Sequence, residues 1–147
     1  MATFIGFNRE DEAIEWAKQR IGNKGQIGFC RALSLVDDHG DFLFVVVLSN
    51  FSKRNIDLHQ AAKDGAKWAT PKAFIDIFNA TFHYAFTQLN VARVTGLVKA
   101  NNVRARIFNQ HLGLRLEGIM RNVFEDDDLY LYGFLKNEFE QHKWFRG

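Results

Sequence analysis

One cysteine and one proline are all that the 147 residues contain of either type. The lone Cys30 has no partner for an intrachain disulfide, so the expected compartment is a reducing one, the cytoplasm. With Pro71 as the sole proline, almost nothing interrupts regular elements. A charge of one sign is lacking as well. The 19 Lys and Arg against 17 Asp and Glu leave only +2. That is too little to demand a polyanion, and nucleic acid is not the expected partner. No apolar run has the length of a membrane span. The opening residues, MATFIGFNREDEAIEW, lack a basic segment followed by an apolar core. Neither a signal peptide nor a membrane partner is expected. His39, His59, His83, His111 and His142 are scattered, without the spacing of a metal site.

What is present suits a globular protein. Apolar residues make up 47% and charged residues 24% of the chain, and its length predicts a single domain over residues 1–147. Phenylalanine, at 15 copies, implies an aromatic core or an apolar channel.

Hydrophobic periodicity orders the elements. Asn8 opens a first helix, with Asp11 three positions on, Ile14, Ala17 and Ile21 on one face, and Gly22 at its end. Ile27 to Leu35 alternates as a strand, and DDHGD turns the chain. FLFVVVL, residues 42–48, predicts a strand buried on both faces. Ile56 and Leu58 alternate with Asp57 and His59, which predicts another strand. Residues 61–74 read as a loop ending in Thr70-Pro71, an N-cap followed by proline at the first helical position. The helix that follows runs to about Leu89, with Phe74, Phe78, Phe82, Ala85, Phe86 and Leu89 in one stripe. After a strand at 91–98, Asn101 or Asn102 caps a short helix with Val103, Ile107 and Leu112 inward. Gly113 takes the left-handed position after it. Strands at 115–124 and 129–135 flank the acidic turn EDDD. This order predicts an α+β fold, a mixed, mostly antiparallel sheet with helices on both faces.

From Asn102 onward several features come in fixed order. Arg104, Ala105 and Arg106 follow the asparagine. Leu112-Gly113-Leu114 comes next, then Glu117-Gly118 and Arg121. In this order, and over nearly the whole chain, the sequence resembles the GNAT family of N-acetyltransferases. More narrowly, it is similar to the branch that acetylates ribosomal-protein N-termini, with its phage and bacterial relatives. The resemblance implies acetyl-CoA as co-substrate and an amine-bearing acceptor: a protein N-terminus, a lysine or a small molecule. The transfer would be direct, within a ternary complex. The oligomeric state would be monomer or homodimer.

The resemblance also implies residue roles. Helix N-termini suit phosphates because their N–H groups are unpaired and carry partial positive charge. Thr70 and Lys72 would serve the pyrophosphate with Lys67, although the family's glycine-rich phosphate pattern is absent here. Asn102, Arg104, Ala105 and Arg106 would line the second helix start beside the cofactor. Backbone N–H groups between Leu58 and Ala61, including that of Gln60, would meet the developing oxyanion. Where many relatives carry a tyrosine acid, this chain has Asn109, which cannot give up a proton. His59 titrates in the range a base needs, and Asp57 shares its strand face. Glu117, Glu125 and Asp126 are alternatives, and the acidic turn suits a cationic amine. The competing expectation is a GNAT-fold module without catalysis, used for binding or assembly.

Overall fold

A computed structural model describes residues 3–20, 30–64 and 70–147. The elements are β1 (Thr3–Gly6), α1 (Glu10–Lys18), β2 (Cys30–Asp37), β3 (Phe42–Ser49), β4 (Asn55–Ala62), α2 (Pro71–His83), β5 (Arg93–Lys99), α3 (Val103–His111), β6 (Arg115–Phe124), β7 (Asp127–Leu135) and α4 (Lys136–Glu140). After α2 the helix continues through a π-helical turn at Tyr84–Gln88. The strands form a seven-stranded sheet in the order β1-β2-β3-β4-β5-β7-β6. Among the described residues, only β4 and β5 run parallel, and every other neighbouring pair is antiparallel. The mixed, mostly antiparallel sheet with helices on both faces is therefore as expected.

β3 is buried along its whole length because it feeds two cores. Phe42, Val45 and Val47 meet Ala13 and Ala17 of α1. Leu43, Phe44, Val46 and Leu48 meet α2 on the other face. The strict alternation breaks at Leu43. There the register shifts, so that Leu35 pairs with Phe44 but Val36 pairs with Phe42. The phenylalanines predicted for α2 fill the second core. Phe78 stacks edge-on to Phe82 at 5.1 Å and to Phe134 at 6.1 Å, and all three are buried. Phe139 of α4 closes this cluster from below.

The structure departs from the expected elements in four places. α1 begins after Arg9, not at Asn8, and no side chain caps it. Arg9 instead donates to the Gly40 carbonyl at 2.6 Å, while Glu10, Asp11 and Glu12 supply negative charge to the first turn. Ile21, Gly22, Ile27 and Phe29 lie outside the described residues. β1 and α4 are additional. Both are short, and β1 pairs with β2 through backbone bonds that need no apolar alternation. α3 is rotated from the predicted orientation. Val103 and Ile107 are half exposed, and the inward residues are Ala105, Phe108, Asn109 and Leu112. Gly113 does adopt a left-handed conformation, φ 89°, and a Cβ there would lie 2.9 Å from the His142 ring. Among the described residues, no helix is long and apolar enough to cross a membrane.

Candidate active site

The single parallel pair, β4 and β5, creates the site. Pairing runs from Asn55–Arg93 to Leu58–Gly96 and then stops. Beyond that point β4 pairs only with β3, and β5 only with β7. The two strands part, and one backbone edge of His59 to Ala62 has no sheet partner among the described residues. Unpaired strand N–H groups at such an edge are donors held in place by the sheet.

The alternation of β4 sends its side chains to two different environments. Leu58 and Gln60 face α2 and α3, as Ile56 does. Asp57 and His59 face the side that carries α1, as Ala61 does. The sequence candidates therefore divide between the two faces.

On the α2–α3 face, two helix starts adjoin the fork. Thr70 caps α2, its Oγ1 accepting from the Ala73 N–H at 3.2 Å, with Pro71 behind it. Asn102, not Asn101, caps α3, its Oδ1 accepting from the Ala105 N–H at 3.2 Å. Arg104, largely exposed, reaches Asp64 just past the end of β4 at 3.5 Å, which ties the start of α3 to the end of β4. Lys72 pairs with Asp76 along α2 at 2.6 Å. Arg106 turns away from solvent, donating to the Ala100 carbonyl at 3.0 Å and lying over the Tyr130 ring at 4.1 Å. Lys67 lies outside the described residues, as do Gly65 and Trp68.

At the apex of the fork sits a polar pair buried among aromatics. Gln60 Nε2 donates to Asn109 Oδ1, and Asn109 is completely buried. Its Nδ2 packs over Gly96, the last paired residue of β5. Asn109 Nδ2 and Gln60 Oε1 have no hydrogen-bond partner among the described residues. A buried amide left half-satisfied is costly and marks a place where water or ligand completes the bonding.

On the α1 face a chain of polar contacts crosses four strands. Asp57 accepts from the Asn50 amide at 3.1 Å and the Asn55 amide at 3.0 Å. Thr95 Oγ1 donates to Asn55 Oδ1 at 2.6 Å, and Arg93 Nε donates to Thr95 at 3.1 Å. Arg93 Nη2 then donates to Glu117 Oε1 at 2.7 Å. Glu117 is the residue at which the β6–β7 register slips, and it lies flat over Gly133 of β7. Any side chain at position 133 would occupy the space of its carboxylate. His59 makes no hydrogen bond to the described residues. Burial pushes its pKa below 6.5, opposed by the Asp57 charge, so the imidazole is neutral at neutral pH.

The acidic hairpin turn is mostly engaged within the protein. Asp127 accepts from the Asn101 N–H at 2.7 Å, Asp128 from the Asn122 N–H at 3.0 Å, and Asp126 pairs with Lys99 at 3.4 Å. These bonds shape the turn. Reading the sequence did not single out Asn55, Arg93 or Thr95. The alternation of Arg93, Thr95 and Lys99 with apolar residues was their signal, a strand with one polar face.

No protein-family model and no curated protein matches this sequence. Solved structures do match in shape. A spermidine N-acetyltransferase chimera from Vibrio cholerae is 15% identical, with 97% of this chain and 100% of that one covered at a TM-score of 0.70. A ribosomal-protein alanine acetyltransferase from Vibrio fischeri is 14% identical, with 80% and 64% covered at 0.62. A GNAT-family acetyltransferase from Bacillus anthracis is 15% identical, with 72% and 66% covered at 0.58. The chain thus has the fold of the GNAT acetyltransferases, which agrees with the resemblance read from Asn102 onward.

Proposed function

We propose that this protein is an N-acetyltransferase that moves an acetyl group from acetyl-CoA to a primary amine. The observation that carries this reading is the fork beyond Leu58–Gly96. It has helix starts on one face and a neutral histidine beside the Asp57 carboxylate on the other.

The residues present fit such a co-substrate. The α2 and α3 N-termini offer N–H groups, and Arg104 and Lys72 add charge that only exposed or half-exposed acids offset. Asn102 spends its oxygen on the cap, and its amide N–H groups meet no acceptor among the described residues, which leaves them to a ligand. When bound, acetyl-CoA supplies the acetyl group as a thioester. The free edge of His59 to Ala62 holds N–H donors for the oxygen that gains charge. His59 accepts the proton of the incoming amine, and Asp57 and Glu117 attract the amine in its cationic form. Arg106, held against Tyr130, fixes the start of α3. Protonation of the leaving thiolate falls to solvent, since Asn109 has no acidic proton.

The names of the similar solved structures suggest two acceptor classes, a polyamine and a protein N-terminus. The test is thiol release from acetyl-CoA with spermidine and with an alanine-initiated peptide. Turnover with either acceptor that falls about 100-fold or more in His59→Gln supports the reading, within the range general bases contribute. No thiol release with any amine, despite cofactor binding, overturns it. That result favours the second reading, a GNAT-fold binding module. The Gln60–Asn109 bridge across the fork is the observation on its side.

A further inference from the structure

At the end of the sheet remote from the fork, three chain reversals enclose an open cavity of about 840 Å³. They are the turn before β4, the turn between α2 and β5, and the junction of β7 with α4. Of the residues that line it, only Arg93 belongs to the network described above.

Its charge is out of proportion to the chain. The whole protein carries +2. This one cavity gathers Lys53, Arg54, Arg93 and Lys136 around a single carboxylate, Glu140. Elsewhere the described cations mostly meet acids, as Arg9 meets Glu12, Arg31 meets Glu10 and Arg115 meets Glu138. Here Arg93 is turned to Glu117, but the side chains of Lys53, Arg54 and Lys136 have no acid or hydrogen-bond acceptor among the described residues. Like charges held together without counter-charge repel one another, and an anion relieves that cost.

The cavity is also preformed. The Arg54 carbonyl accepts both the Ala92 N–H at 2.8 Å and the Arg93 N–H at 3.0 Å, tying the first two reversals together. The Ser52 N–H to Asn55 carbonyl bond, 2.8 Å, closes the turn that presents Lys53 and Arg54. Val91 is buried beneath, and Leu89, Leu135 and the exposed ring of Phe51 form an apolar wall. Cations on one side and an apolar wall on the other, in a concavity of this size, describe a small-molecule site.

We propose that this cavity binds a small phosphorylated molecule of nucleotide size. Its phosphate lies among Lys53, Arg54 and Lys136, and its flat or apolar body lies against Phe51 and Leu135. A phosphate monoester brings close to two negative charges and three acceptor oxygens, enough for all three cations, whereas a carboxylate serves one or two. A nucleic-acid strand fits less well. The cations surround one cavity instead of tracking along a groove, and a single exposed aromatic offers only one stacking platform.

The test is calorimetric titration of the whole protein with adenosine monophosphate. Adenosine and pyrophosphate run as separate probes, and every titration holds saturating acetyl-CoA so that the fork is excluded. The same titration in Asn102→Ala/Arg104→Ala separates this site from the proposed cofactor site, because binding here does not depend on that reading. The expected result is saturable monophosphate binding in both proteins. It weakens about tenfold or more in Lys53→Ala/Arg54→Ala/Lys136→Ala and strengthens in Glu140→Gln, and added salt weakens it. The three alanines replace exposed side chains, and an unchanged melting temperature checks that the variant folds. The proposal is overturned by no binding at millimolar ligand, by binding that the triple variant leaves unchanged, or by competition with acetyl-CoA. Binding of a short RNA where the monophosphate fails also overturns it, in favour of a nucleic-acid surface.

Discussion

The two faces of β4 differ in almost every physical respect. Toward α2 and α3 its side chains enter an aromatic core, where the strand's own polar contact is the Gln60–Asn109 pair. Toward α1 the same strand carries His59 and also Asp57, which enters a network that runs to Glu117 across β5 and β7. A strand with period two can serve both environments only because the parallel pairing with β5 stops at Leu58–Gly96. The opening gives both faces access to the same gap. One strand thus places a helix-lined, apolar approach on one side and a charged one on the other. Transfer between a bulky thioester and a cationic amine calls for the same division.

The comparison is broken most severely from the aromatic side. Phe78→Ala removes a fully buried ring in contact with Phe82, Phe134 and Phe139. It should cost about 3–5 kcal/mol in denaturant unfolding, a large share of the about 5–15 kcal/mol by which a domain is stable. A smaller effect separates packing from polarity at the fork. Asn109→Leu alone strands the Gln60 amide and should cost about 1–3 kcal/mol, whereas Gln60→Leu/Asn109→Leu should recover most of that loss. Thermal melts of the single and double variants decide it. If the double variant is no better than the single, the pair is not the isolated polar unit described here.

On the charged face, Gly133→Val should displace Glu117 from Arg93, because the new side chain takes the carboxylate's place. The expected outcome is an acceptor KM raised about tenfold with acetyl-CoA affinity unchanged, the loss of one charged contact. Steady-state kinetics with each substrate varied in turn would check this, and a change in the acetyl-CoA affinity would contradict the division of faces.

The smallest effect is on pH dependence. Folding holds His59 below its ordinary 6.5 through burial, and does the same to His142. The unfolded chain therefore binds more protons than the folded one as the pH falls through 6.5. Stability is complete above that value and declines below it. His59→Gln should flatten the decline in part, with His142 keeping the remainder, as urea melts between about pH 7 and 5 would measure.

How much of this was legible in the sequence depended on the distance over which each residue finds its partner. The caps at Thr70 and Asn102 and the glycine at Gly113 bond within a few positions, and their signals stood in consecutive residues. The burial of β3 on both faces was equally plain, since an unbroken apolar run has no polar face. α3 misled because its inward row contains Asn109, while Val103 and Ile107 offer a competing apolar row four positions apart. Buried polarity looks like exposure to any periodicity argument. The Asp57 to Glu117 network was the least legible part. It joins residues up to 67 positions apart, from Asn50 just after β3 through β4 and β5 to β6, and its key element, Gly133, acts by what it lacks.

The most direct measurement is calorimetric titration of acetyl-CoA into the wild-type protein and into Asn102→Ala/Arg104→Ala. The account predicts saturable micromolar binding by the wild type. It predicts a loss of about tenfold or more in the variant, as expected for losing charged hydrogen bonds to phosphate. No binding at millimolar ligand, or equal binding by both proteins, would contradict the assignment of the fork and its two helix starts to the cofactor.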